Sequence, residues 1–168
     1  TYGFGYYEEF RPNNKLSKFG MTYTYPDGSI VKRSDFIRRK GLTQHTYGLN
    51  WNANYTDERW DIIGGFSIQN FDGNHFGYVT YIANTDVAEK YFSNGDYKYY
   101  DSDAHKLDGS AFVKTAFNIT EHWNLFVDLQ YRYVDYKTDG INDKFYDDES
   151  GYYNQPLDIH ETYHFFNP

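Results

Sequence analysis

The chain has 168 residues, of which Tyr, Phe and Trp make up 22%, with a formal net charge of -8 and a pI near 5.1. The acidic balance argues against nucleic acid as a partner and against a polybasic lipid anchor, since both depend on clustered Lys and Arg. The absence of Cys rules out disulfides and thiolate metal sites. No run approaches the roughly 18 apolar residues that a membrane-spanning helix requires. The abundance of aromatic residues and the scarcity of Ala, Leu and Met favour strands.

In chain order, residues 1–40 read as the outer part of a strand, Tyr2 to Phe10, followed by a loop. Within that loop Thr22 to Tyr25 and Ser29 to Val31 flank Pro26-Asp27-Gly28, a turn sequence in which Pro presets φ and Gly tolerates a positive one. A small hairpin is predicted there.

Residues 42–70 carry the first long hairpin. Tyr47, Leu49, Trp51, Ala53 and Tyr55 alternate with Thr46, Gly48, Asn50, Asn52 and Asn54. After a turn over Thr56 to Arg59, Trp60, Ile62, Phe66 and Ile68 occupy one parity and Asp61, Ser67 and Gln69 the other. A period of two is that of a half-buried strand.

Residues 71–107 are dense in Asp, Asn, Gly and Tyr and read as a long loop, with Tyr78 to Ile82 and Tyr97 to Tyr100 as short strands. No strong helix signal is visible, although Asp86 to Tyr91 would suit a turn.

Residues 108–137 hold the second hairpin. Ala111, Val113, Phe117 and Ile119 alternate with Asp108, Ser110, Lys114 and Asn118, and after Thr120-Glu121-His122 the clearest alternation begins. Trp123, Leu125, Val127, Leu129, Tyr131 and Tyr133 lie on one parity, with Asn124, Asp128, Gln130 and Arg132 on the other, interrupted by Phe126. Residues 138–168 read as a second long loop.

Strands of eleven or more residues exceed the usual five or six of soluble sheets and reach the roughly 9 to 11 that cross a bilayer at a tilt. Short turns at one end and long loops at the other, with alternating strands between, mark a transmembrane β-barrel of the bacterial outer membrane. Aromatic residues bracket both short turns, Tyr55 with Trp60 and Phe117 with Trp123. They fit an interfacial girdle or cross-strand packing in a soluble sheet. The predicted fold class is all-β, an antiparallel meander of long hairpins forming part of such a barrel. The polar parity Lys114, Asp128, Gln130 and Arg132 would face its lumen, with Arg132 able to pair with Asp128.

The stretch Asn124-Leu-Phe-Val-Asp-Leu-Gln-Tyr-Arg-Tyr-Val134 with Tyr136-Lys-Thr-Asp-Gly140 resembles a late barrel segment of TonB-dependent receptors of Bacteroidetes-type bacteria. Gly5-Tyr-Tyr-Glu-Glu-Phe10, Asp35-Phe-Ile-Arg-Arg-Lys40 and the closing Phe165-Phe-Asn-Pro168 are similar to it as well. The resemblance implies an outer-membrane receptor that imports a scarce nutrient, most often an iron chelate delivered by a siderophore, with cobalamin, haem or glycans as other cargo. It also implies outer-membrane lipid around the barrel and contact with TonB through an N-terminal plug region that these residues do not include. The opening at Thr1, without initiator Met or leader, predicts a fragment of a longer protein.

No catalytic constellation, phosphate loop or metal-binding His spacing is present, so no enzyme and no cofactor are expected. His160 and His164 would align only on a helix, which Pro156 and the aromatic run disfavour. The acidic stretch Asp143 to Glu149 would suit a hard cation but lacks the spacing of a calcium loop, and a solvated acidic loop is the plainer reading. Tyr97, Tyr99, Tyr100, Tyr152 and Tyr153 are the candidate ligand contacts, because exposed Tyr offers rigid area with a polar tip. The rival from another class is a soluble β-sandwich carbohydrate-binding module, with the same aromatics stacking on sugars.

Overall fold

The structure is a computed structural model that describes residues 1–148 and 151–168, and the side chains outside 146–154. Six strands form one antiparallel meander: β1 (Tyr2–Lys15), β4 (Arg33–Thr56), β5 (Trp60–Ile82), β6 (Tyr97–Thr120), β7 (Trp123–Asp148) and β8 (Gly151–Asn167), in the order β1-β4-β5-β6-β7-β8. The sheet is open, with β1 and β8 at its edges. The fold class is therefore the all-β antiparallel meander that the alternation predicts. The small hairpin predicted around Pro26-Asp27-Gly28 is present as β2 (Tyr23–Thr24) and β3 (Ile30–Val31), with Gly28 at φ 87°.

The hairpins run well beyond their predicted ends. Only residues 83–96 separate β5 from β6, so most of the stretch 71–107 is strand, as is most of 138–168. Asp, Asn and Gly are poor strand formers on their own. Here neighbouring strands pair their backbones, on both sides for β5, β6 and β7, and the polar side chains bond across the strands. His105 Nδ1 lies 2.6 Å from Asp72, and Asn74 Nδ2 donates to Asp101 at 2.7 Å and to Asp103 at 2.9 Å. Pro156, which lacks an N–H, is accommodated because β8 is an edge strand.

A short helix, α1 (Thr85–Tyr91), stands where only a turn was expected. Asn84 caps it, its side chain accepting from the Val87 N–H at 3.0 Å. The β2/β3 hairpin docks on α1: the Tyr25 hydroxyl donates to Asp86 at 2.8 Å, and Lys90 donates to the Thr22 carbonyl at 2.8 Å.

The register gives the sheet two faces whose character changes along the strands. On one face the lower part carries Leu49, Trp51, Phe66, Val113, Leu125 and Leu129, which successive strands bring side by side. Leu49 is 58% exposed and Leu125 51%, and neither Ile62 nor Val127 is buried. The opposite face at that level presents Asn50, Asn52, Ser67, Lys114, Asp128 and Gln130, with Ile63, Phe112 and Phe126 as apolar exceptions.

Higher up the polarity is exchanged. On the central strands the first face carries Asp72, Asn74, Asp103, His105, Lys137 and Asp139, with Phe76 and Tyr78 and, on the edge strand β1, Phe4, Tyr6 and Phe10 as aromatic exceptions. The opposite face holds the only buried cluster among the described residues, in which Phe36 and Val79 from the sheet meet Leu16, Phe19, Met21 and Val87 from the segments folded over it. The sheet curls toward this second face, since Lys40 on β4 reaches Asp143 on β7 across two intervening strands. It is the concave face, and the first is the convex one.

Candidate functional site

Two groups of polar side chains lie on the concave face. The lower contains all four residues that sequence parity placed together, Lys114, Asp128, Gln130 and Arg132. Lys114 pairs with Asp128 at 3.0 Å, and Gln130 Nε2 donates to Asp128 at 3.3 Å. Arg132 does not pair with Asp128 as expected. Its Nε donates to Asp108 at 2.9 Å, because Ser110, its register partner on β6, places Asp108 diagonally within reach. Lys106 also reaches Asp108, at 3.3 Å. Every charge in this row has a partner, Asp108 serving both Arg132 and Lys106, which suits a wetted scaffold.

The upper group surrounds a cavity of about 500 Å³ near the top of the concave face, lined by Tyr7, Lys40, His75, Tyr100, Ser102 and Asn142 among others. Lys40 bonds Asp143, and its Nζ lies 5.4 Å from the centre of the Tyr100 ring, within cation–π range. Burial pushes the Tyr100 phenol up to about 12, so it stays protonated and able to donate.

The candidate ligand-contacting tyrosines do not present the exposed surface expected of them. Tyr99 is 3% exposed and Tyr100 7%, both within the buried cluster, and Tyr97 packs against that cluster. The cause is a register shift: Gly77 pairs with Tyr100 and Tyr78 with Lys98, leaving Tyr99 as an extra residue, so two consecutive tyrosines turn to the concave side. Gly77 makes the room. A Cβ there would sit 2.2 Å from the Tyr100 ring and 2.7 Å from that of Tyr99. Of the three, Tyr100 still borders the 500 Å³ cavity. The side chains of Tyr152 and Tyr153 lie outside the described residues.

Among the described residues no three His, Asp or Glu side chains converge to hold a metal. His160 is instead 2.9 Å from Asp135, and His164 2.7 Å from the Tyr131 hydroxyl. Of the acidic stretch 143–149, Asp143 is occupied by Lys40, and the side chains of Asp147, Asp148 and Glu149 lie outside the described residues.

Lys40, Tyr7 and His75 were not among the candidate site residues, yet a signal for Lys40 was there. Phe36, Arg38, Lys40 and Leu42 share one parity, and extending the strand alternation of 46–55 backward puts them on the face of Asn50 and Asn52. The aromatics flanking the lower turns are arranged differently from the expected brackets. Trp60 packs on Phe117 of the neighbouring hairpin, with ring centres 4.3 Å apart, while the Tyr55 hydroxyl donates to Asp57. No family model, curated protein or solved structure matches this chain.

Proposed function

We propose that this chain forms part of the wall and outer rim of a bacterial outer-membrane β-barrel. The observation that carries the reading is the exchange of polarity along the sheet. An apolar, aromatic convex surface backed by a polar concave one is the inverse of a soluble protein's arrangement and the expected one for a strand wall between lipid and a wet lumen. Above that band the apolar side chains return to the concave face, as they would where the wall emerges into water. The band on β4 from Tyr47 to Tyr55 has the length of about 9 to 11 tilted residues that crosses the hydrocarbon.

The resemblance of Asn124 to Val134 and its companion stretches to TonB-dependent receptors supports the finer reading. The chain would belong to a binding and transport component, not an enzyme, that takes up a scarce nutrient, an iron chelate first, with energy relayed by TonB through a plug. The cavity beside Lys40 and Tyr100 lies on the concave side, where cargo would pass. A soluble carbohydrate-binding sandwich would need a second sheet over the apolar convex face, and among the described residues nothing covers it.

Membrane fractionation tests the coarse reading. The protein should be recovered in the outer-membrane fraction, resistant to salt extraction and released by detergent; recovery in the soluble fraction would overturn it. The finer reading is tested by uptake of radiolabelled ferric chelate in cells with and without the gene. Uptake should be lost on deletion and restored by the wild-type copy. Unchanged uptake would remove iron chelates as the cargo.

A further inference from the structure

A second cleft on the concave face, of about 310 Å³, lies between β1, the 3-10 turn Leu16–Phe19 and the upper part of β7. Four cationic side chains line it, those of Arg11, Lys18, Arg38 and Lys144. The carboxylate among its lining residues, Asp143, is already engaged by Lys40.

Arg11 and Arg38 are held in place by one acid outside the lining. Glu9 accepts from Arg11 at 2.8 Å and from Arg38 Nε and a terminal nitrogen at 3.0 and 2.7 Å. Two guanidinium groups thus share a single negative charge. Among the described residues neither Lys18 nor Lys144 has a carboxylate partner.

The second observation is independent of charge. Tyr99, 3% exposed, lines the same cleft, and its buried hydroxyl makes no hydrogen bond of ordinary geometry; the Arg38 guanidinium beside it can only donate, so the hydroxyl proton has no acceptor. Burying such a group with its proton unpaired is costly, so it asks for an explanation. Burial keeps the phenol protonated, and what it lacks is an acceptor.

We infer that this cleft is a binding site for a small oxyanion, a phosphate or carboxylate group, held by Arg11, Arg38, Lys18 and Lys144 and receiving a hydrogen bond from Tyr99. Glu9 occupies the Nε side of Arg38 and one terminal nitrogen of Arg11, so the remaining guanidinium N–H groups are fixed in direction and free to donate to an oxyanion, while the two lysines add charge without fixed geometry. Phe19 and Phe145 close the cleft on its apolar side. Gly20 permits this closure, since at φ 67° a Cβ would stand 2.4 Å from the Phe145 ring. The site does not depend on nutrient import: an oxyanion could be cargo, part of a cargo, or a fixed occupant of the rim.

The test is isothermal titration calorimetry on the intact protein in detergent, with inorganic phosphate, citrate and uncharged glucose titrated separately. Saturable binding of phosphate or citrate, and none of glucose, is expected, and which of the two binds identifies the oxyanion. In the Lys18→Gln/Lys144→Gln variant, both positions exposed, affinity should fall about tenfold, the scale of losing a charge-assisted contact. Tyr99→Phe, which removes only the hydroxyl, should weaken binding severalfold. Binding of neither anion, or equal affinity in wild type and both variants, would overturn the site. A protein that binds the anion but fractionates as soluble would contradict the barrel reading and leave this one standing; the reverse result would do the opposite.

Discussion

The lower and upper halves of the same strands place their apolar side chains on opposite faces, and the difference between them shows what surrounds each half. On β4, Leu49 and Trp51 point to the convex side, while Phe36, on the other parity, is fully buried on the concave side. The strand itself is continuous from Arg33 to Thr56, the register shift near Ile37 being an extra residue, Thr80, on β5. Among the described residues no protein layer covers the apolar face of the lower half. The upper half has one, made by the 3-10 turn, the β2/β3 hairpin and α1. One half is thus stabilised by protein packing and the other by whatever medium lies against it.

Substitutions that act on one half and not the other sharpen this contrast. The largest effect is expected at Phe36, where Phe36→Ala should cost about 3 to 5 kcal/mol, as for other buried aromatics, measured as a loss of unfolding free energy in micelles. Next is a charge on the convex band. Leu49→Arg should cost about 2 to 4 kcal/mol in lipid if that position lies near the bilayer midplane. Asn52→Arg, nearby on the concave face, should cost little. Equal costs for the two in folding assays with lipid vesicles would break the comparison.

Smaller still is Asn84→Ala, which removes the cap of α1 and should destabilise the covering layer by about 1 kcal/mol. It should speed amide exchange in α1 and the β2/β3 hairpin without touching the lower half. The smallest effect concerns pH. Donation from Arg11, and then from Arg38, holds the Glu9 carboxyl below the usual carboxylate range. Its contribution is therefore complete above the unfolded carboxylate value and is lost as pH falls through the lower native one. Exchange at the edge strand β1 should accelerate only at strongly acidic pH, and Glu9→Gln should abolish that dependence.

The lower half was legible in the sequence because one of its faces is uniformly apolar, so the alternation of Leu125, Val127 and Leu129 against Asn124, Asp128 and Gln130 stands out. The upper half was not, for a physical reason. Where Asp72, Asn74, Asp101 and His105 hold strands together by cross-strand bonds, the residues are those of loops, and their pairing cannot be read from one strand at a time. The tyrosines were misplaced by a single extra residue: the register shift at Tyr99 turns neighbouring side chains to one face, which no period of two anticipates. Arg11 is brought beside Arg38 only by the pairing of β1 with β4, where Glu9 bridges the two, and Lys18 only by the 3-10 turn that follows β1.

The chain carries its own probes of the central claim, because its three tryptophans, Trp51, Trp60 and Trp123, all belong to the convex lower region. Trp51 lies within the band, whereas Trp60 and Trp123 stand beside the short turns, Trp123 being 71% exposed. The most direct measurement is fluorescence quenching of the protein in vesicles by lipids brominated at graded depths, with Trp→Phe replacements to isolate each signal. The account predicts that Trp51 is quenched most by bromine deep in the acyl chains, that Trp60 and Trp123 are quenched most near the headgroups, and that aqueous iodide fails to reach Trp51. Quenching of Trp51 by iodide with no response to brominated lipid would contradict it.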